Sequence, residues 1–178
     1  MTISKAYLTF LTSFTFSIIG TTIAYLTNWM IIIPILFGIG IPLVNLEKPL
    51  KQKVVLIAVT IIISTVIFVA TVLAAISFDF DKYIFPGMLV GLAGIAILGI
   101  NGLLIENIKL NLKTITLTFL LSGLSLPIWI LMTENVLPYS IKKMELVRQF
   151  GVMIFWMTLT TIGICMSIRE SDLKNKPN

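Results

Sequence analysis

The chain has 178 residues, of which 57% are hydrophobic and only 12% are charged, and its net charge is +5. A soluble domain is typically about 45–50% apolar and about 25% charged, so this composition excludes an ordinary water-facing surface. We therefore expect the bilayer to solvate most of the chain, as one domain covering 1–178 and without a soluble catalytic domain.

Six apolar segments follow one another along the chain, and each comes close to the about 20 residues with which a helix crosses about 30 Å of hydrocarbon. They cover residues 6–26, 29–46, 54–76, 85–105, 114–133 and 149–168. The first segment follows Lys5 and is too long for the apolar core of a signal peptide, so we interpret it as a retained helix. The pattern predicts an all-α, polytopic integral membrane protein with six transmembrane helices.

The charges of the connections predict the orientation of these helices. If all six segments cross the membrane, nine basic residues fall on one side: Lys5, Lys48, Lys51, Lys53, Lys109, Lys113, Arg169, Lys174 and Lys176. Four fall on the other: Lys82, Lys142, Lys143 and Arg148. Because the cytoplasmic side carries the excess of lysine and arginine, we predict cytoplasmic termini, a polar cytoplasmic tail at 171–178 and a bacterial-type inner membrane.

The opposite side is expected to carry the tight turn at Asn28 and the longest connection, TENVLPYSIKKMELVR, which predicts a short amphipathic interfacial helix. Aromatic residues that mark a membrane boundary stand near this side, namely Trp29, Tyr83, Trp129 and Tyr139.

A short pattern, Gly-Ile followed by five residues and Glu, closes the second, fourth and sixth segments. It runs from Gly40 to Glu47, from Gly99 to Glu106 and from Gly163 to Glu170. We interpret it as the mark of three tandem helical hairpins, 6–53, 54–113 and 114–170, related by a pseudo-threefold axis. The alternative is coincidence, because Gly, Ile and Glu are common near the ends of membrane helices.

Small residues gather on single faces of the predicted helices. In the fourth helix Gly87, Gly91, Gly94 and Gly102 share one arc, which predicts a helix-packing face. Packing inside the monomer is the favoured interpretation; contact with a second copy or another membrane protein, or approach of a lipid or ligand, are the alternatives. Hydroxyl stripes that include Ser13, Ser64 and Ser122 line the odd-numbered helices, either for packing or as the lining of a polar path.

The inventory of reactive side chains argues against an enzyme. The chain contains no histidine, its acids are scattered, and its one cysteine, Cys165, lies in an apolar run. A metal centre needs clustered ligands and a serine or cysteine nucleophile needs a base, so we predict no catalytic site, metal or cofactor. Asp79 and Asp81 are interpreted as a solvated turn. The positive net charge comes without an aromatic-interleaved basic patch, so no nucleic-acid partner is predicted.

Three residues remain as candidates for a polar path or a solute contact. We interpret Asn101, near the end of the fourth helix, either as a hydrogen-bonding residue between helices or as a solute contact. Glu106 either faces the bundle at membrane depth or, in the favoured interpretation, pairs at the interface with Lys109. Pro34 begins the stretch PILFGIGIP, which predicts either a broken helix of the kind that marks transporter sites or a helix that ends early.

Two classes of function fit these features. We favour a partner that packs by its helices against another membrane protein, as an accessory subunit, assembly factor or immunity-type protein. The alternative is a small transport-type protein, a channel or a membrane substrate-binding subunit, for a neutral or amphipathic solute. Ion-coupled carriers usually keep a charge within the membrane, and these segments contain almost none.

Overall fold

The computed structural model of the protein describes residues 4–77, 84–142 and 144–168. In this part of the chain the helices are α1 (Lys5–Thr27), α2 (Ile32–Asn45), α3 (Leu50–Ser77), α4 (Ile84–Leu104), α5 (Leu112–Leu131), α6 (Tyr139–Lys142) and α7 (Glu145–Cys165). A π-helical turn, Met132–Val136, continues α5. The prediction of an all-α protein is confirmed, because the described residues show no strand beyond one isolated bridge between Ile108 and Ile168.

Four helical stretches are long and apolar enough to cross a membrane: Lys5–Thr27, Leu50–Ala74, Ile84–Leu104 and Leu112–Val136. They identify the chain as a membrane protein. The apolar helices Ile32–Asn45 and Phe150–Cys165 are shorter. The 14 residues of α2 extend only about 21 Å at 1.5 Å per residue, against about 30 Å of hydrocarbon. Length alone therefore supports four of the six predicted spans.

The helices form a closed ring in chain order. Each helix from α1 to α5 packs against the next, α5 packs against α7, and α7 returns to α1. If α7 is counted as the sixth helix, because α6 is only one turn long, this order is the one that three successive hairpins require, but the repeat itself stays a prediction. Its glycines are not equivalent: Gly40 and Gly163 lie against Ser13 and Thr118, whereas Gly99 has no atom within 4 Å of the place its Cβ would occupy.

Small and hydroxyl residues face the inside of the ring, and large apolar residues face outward. The buried residues of α1 are Thr9, Ser13, Ser17, Gly20, Thr21 and Ala24. In contrast, α3 exposes Val54, Val55, Ile62, Val66 and Leu73. Lipid tails give apolar side chains no reason to turn inward, whereas small residues let helices approach closely. The remaining interior is filled by apolar side chains, among them Phe37, Ile41, Leu98, Met157 and Ile164.

The turns at the two ends of the ring are set by local capping. Asn28 ends α1 in the left-handed conformation, with φ of 59°, and so makes the predicted tight turn. Asn111 begins α5 with a capping box: its side chain accepts the Thr114 N–H at 2.8 Å, and Thr114 Oγ1 accepts the Asn111 N–H at 3.2 Å. Helix α6 occupies the connection for which a short helix is predicted.

Candidate functional site

Three of the four glycines of the predicted packing face lie against α5 within the same chain. A Cβ on Gly91 would come within 2.7 Å of the Phe119 ring, and a Cβ on Gly94 would meet the Ser122 side chain. Gly87 packs on the backbone of α5, as described next. Gly102 departs from this interface, because its neighbour is Leu110 in the connection that follows α4. The glycine face is thus occupied inside the monomer.

Gly87 and Gly123 cross backbone to backbone. A Cβ on Gly87 would lie 2.9 Å from the Gly123 carbonyl oxygen, and a Cβ on Gly123 would lie 2.9 Å from the Gly87 oxygen. Pro127 stands four residues after Gly123 within α5 and has no N–H to donate to that carbonyl. The missing side chain of Gly87 therefore lets the α4 backbone cover an oxygen that the proline leaves without its helical donor.

Ser122 joins three helices through one hydroxyl group. Its Oγ donates to the Val90 carbonyl of α4 at 3.0 Å and lies 2.8 Å from Thr160 Oγ1 of α7. The indole Nε1 of Trp156 donates to the same oxygen at 2.6 Å. Ser122 is completely buried, so it fixes helices together rather than lining an open path.

Several other buried hydroxyls bond to the carbonyl four residues earlier in their own helix. These belong to Thr9, Ser17, Thr21, Thr60 and Thr161, and the half-buried Thr71 makes the same bond. Ser64 is buried where Gly38 of α2 approaches α3. The Ser13 and Thr118 oxygens have no hydrogen-bond partner within the described chain, and they face Gly40 and Gly163. The stripes thus lie where neighbouring helices come close together.

Two buried asparagines lie in the interior near one end of the ring. Asn101 is completely buried and donates to the Ile97 carbonyl at 2.8 Å, while its Oδ1 has no partner in the described part of the chain. Asn45 was not anticipated from the sequence. It donates to Thr9 Oγ1 and to the Ile41 carbonyl, both at 2.8 Å, and so ties α2 to α1. The only sequence feature that singles out Asn45 is its position two residues before Glu47, within the first Gly-Ile pattern.

The same end of the ring, here called the lysine end, comprises the start of α1, residues 45–53 and 104–114, and the end of α7. Two ion pairs tie its connections: Lys5 with Glu47, and Lys48 with Glu106. The hydrogen bond and the positive charge of Lys5 lower the pKa of Glu47 below its ordinary value. The Lys109 N–H donates to the Ser167 carbonyl at 3.0 Å, which joins α7 to this end.

The structure corrects the sequence-based interpretation of Glu106. Helix α4 ends at Leu104, so Glu106 stands in the following turn with 79% of its side chain exposed. It does not face the bundle, and its ion-pair partner is Lys48 from another connection rather than Lys109 three residues on. The sequence pattern could not reveal this, because the pairing depends on two connections meeting in space.

Of the two interpretations of the stretch that begins at Pro34, the structure agrees with the short helix and not with the broken one. Helix α2 runs without interruption from Ile32 to Asn45, through Gly38 and Gly40, so the predicted break is not observed. Pro34 is buried in the first turn, where a proline costs no helical hydrogen bond. Other predictions concern residues outside the described ranges, namely Asp79, Asp81, Lys82, Tyr83, Lys143, Arg169, Glu170 and 171–178.

Three of the spaces within the described residues bear on function. A groove of about 250 Å³ runs along the outer surface between α4 and α5, lined by Ile84, Gly87, Met88, Phe119, Leu120, Gly123, Leu124 and Pro127. An almost wholly apolar cavity of about 190 Å³ lies away from the lysine end, among α3, α4, α5 and α7. A small polar pocket of about 40 Å³ lies between residues 45–48 and 104–107, which are equivalent positions of the first two Gly-Ile patterns.

The chemistry available at these places is limited. Among the described residues no three of His, Cys, Asp and Glu stand close enough to hold a metal ion. Cys165 donates to the Ala6 carbonyl at 3.3 Å, so its thiol joins α7 to α1.

Comparison with protein-family models, curated proteins and solved structures finds no match for this chain.

Proposed function

We propose that this protein acts without catalysis, as an accessory, assembly or immunity-type partner that packs its outer surface against another membrane protein. The observation that supports this best is the packing and hydrogen bonding of the interior. Many of its hydroxyls bond to the chain's own backbone, Gly87, Gly91 and Gly94 are packed against α5, and large apolar side chains fill much of the remaining space. The outer surface is then the part of the molecule left for recognition.

The groove between α4 and α5 is the outer surface that best suits a partner helix. Its floor is the Gly87–Gly123 crossing, where two backbones come close and leave a depression. Its walls expose apolar side chains such as Met88 at 52% and Leu120 at 48%. Association of membrane helices depends on van der Waals contact between small-residue surfaces and complementary side chains, which this groove provides.

Purification from native membranes in a mild detergent, followed by mass spectrometry, tests the proposal. We expect one membrane protein to accompany the chain in constant proportion. The Leu120→Trp variant fills the groove and should lose that partner, whereas Val66→Trp on the outer face of α3 should keep it. A chain that purifies alone, or a partner that both variants retain equally, would contradict the assignment to this groove.

We further propose that α1 to α5 and α7 all cross the membrane as three tandem hairpins, with the lysine end in the cytoplasm of a bacterial-type inner membrane. The closed ring supports this, because α2 packs between α1 and α3, and α7 between α5 and α1, which all belong to stretches long enough to cross. A Cys165→Ala background with single cysteines at Trp29 and at Leu50 tests it. A membrane-impermeant thiol reagent should label position 29 in intact cells and position 50 only after the membrane is opened.

A second candidate function, binding or transport of a small neutral or amphipathic solute, is favoured by the apolar cavity of about 190 Å³. Its walls include Phe68, Val90 and Trp156, with the Ser125 hydroxyl as one polar group. Mass spectrometry of an organic extract of the purified protein tests this candidate. A stoichiometric small molecule that disappears in Val90→Phe, but not in Val66→Phe, would favour it over the partner proposal.

A further inference from the structure

The lysine end carries more positive charge than its acids neutralise. Among the described residues it contains six lysines, Lys5, Lys48, Lys51, Lys53, Lys109 and Lys113, and two acids, Glu47 and Glu106. Glu47 forms an ion pair with Lys5, and Glu106 forms one with Lys48. Four lysines, Lys51, Lys53, Lys109 and Lys113, are therefore left without an acidic partner in the part of the chain that the structure describes.

These four lysines stand at the starts of two helices. Lys51 and Lys53 lie in the first turn of α3, and Lys109 and Lys113 flank the capped start of α5. The first turn of a helix presents N–H groups without helical acceptors and a partial positive charge, which adds to the charge of the lysines. Both places consequently favour an anionic group.

Exposed leucines accompany the lysines in the sequence. Leu50 precedes Lys51 and is 77% exposed, and Leu112 precedes Lys113 and is 80% exposed. Lysine can keep its ammonium group in the headgroup layer while its stem, and a neighbouring leucine, lie against the acyl chains. A soluble anion or an acidic soluble protein would leave these leucines in water. The combination therefore indicates the boundary between headgroups and hydrocarbon.

We propose that the lysine end binds the phosphate groups of anionic phospholipids through these four lysines, which surround the starts of α3 and α5. The ammonium groups supply charge-assisted hydrogen bonds to the phosphate oxygens, and the adjoining leucines contact the acyl chains. This proposal is independent of the partner protein and of the solute cavity, because it uses residues that neither of them contains.

Native mass spectrometry of the purified full-length protein tests the proposal. The protein in detergent is mixed with phosphatidylglycerol or with phosphatidylcholine of the same acyl chains, and retained lipids are counted. We expect the wild type to retain phosphatidylglycerol preferentially and to lose it as salt is raised. Replacing all four lysines by glutamine should remove the preference, with about fivefold weaker retention for each lysine lost.

Replacement of the same four lysines by arginine is the matched control, because it preserves the charge and should keep the preference. Thermal unfolding without added lipid shows whether each variant is folded. Equal retention of the two lipids by the wild type, or unchanged phosphatidylglycerol retention by the glutamine variant, would overturn the proposal. Displacement of the lipid by inorganic phosphate, at an ionic strength at which sodium chloride leaves the lipid bound, would instead indicate a site for free phosphate and would also overturn it.

Discussion

The backbones of Gly87 and Gly123 touch where α4 crosses α5, and a Cβ on either would approach the carbonyl oxygen of the other to 2.9 Å. Two features of the molecule depend on this contact. It closes the ring between α4 and α5, and on its outer side it leaves the groove assigned here to a partner. The carbonyl that Gly87 covers is the one that Pro127 deprives of its helical donor.

The first prediction concerns this crossing. The Gly87→Ala variant should be destabilised, by about 1–3 kcal/mol as for other overpacked interiors, because its Cβ would meet backbone and not a movable side chain. Gly99→Ala is the matched control in the same helix, since no atom lies within 4 Å of its Cβ position. Thermal unfolding in detergent measures both. Equal melting temperatures for the two variants would show that the helices do not cross at Gly87.

The second prediction concerns the hydroxyl group of Ser122. Ser122→Ala removes the contacts to Val90, Thr160 and Trp156 together and leaves the buried indole N–H without its acceptor. We expect a loss of about 1–3 kcal/mol. The fluorescence of Trp156 should also change, because its nearest polar partner is lost.

Ser17→Ala serves as the control for Ser122, because the Ser17 hydroxyl is equally buried but bonds only to the Ser13 carbonyl of its own helix. That carbonyl keeps its helical N–H partner when the hydroxyl is removed, so the loss should be small. If Ser122→Ala is tolerated as well as Ser17→Ala, the hydroxyl does not join the three helices.

The third prediction concerns acid and the ion pair of Glu47. Lys5 lowers the pKa of Glu47 in the folded protein, so the pair stabilises the fold above the ordinary glutamate pKa, and this contribution is lost as the pH falls through the lowered value. The melting temperature of the wild type should fall on acidification through this range. Glu47→Gln and Lys5→Gln should both start lower and fall less steeply. The effect is small, because the Glu47 side chain is 68% exposed.

A parallel dependence on pH in the wild type and in both variants would contradict the pairing. The comparison uses one detergent and one salt concentration throughout, because surface ion pairs are screened by salt.

The helices and their inward faces could be predicted from the sequence. Apolar length locates the helices, and the spacing of Thr9, Ser13 and Ser17 places them on one face of α1, which is buried in the structure. Gly87, Gly91 and Gly94 were identified as a packing surface for the same reason, and the structure shows them against α5. Periodicity is a local property, so local spacing is sufficient to find it.

Contacts between distant parts of the chain could not be predicted in this way. The pairing of Glu106 with Lys48 requires the turns after α2 and α4 to meet, and no spacing within one helix encodes it. The sequence left two interpretations open at Pro34, because the effect of a proline depends on where the helix begins: a proline in the first turn interrupts nothing. The spacing predicts the face on which Ser122 lies, but its three partners belong to two other helices, α4 and α7.

The central claim, that the protein acts through its outer surface on another membrane protein, is tested most directly by site-specific photo-crosslinking in native membranes. A photoreactive residue replaces Met88 in the α4–α5 groove or, as a control, Val66 on the outer face of α3; both side chains are more than half exposed. We predict a discrete protein adduct from position 88 and lipid adducts alone from position 66. Lipid adducts alone from both positions would contradict the claim.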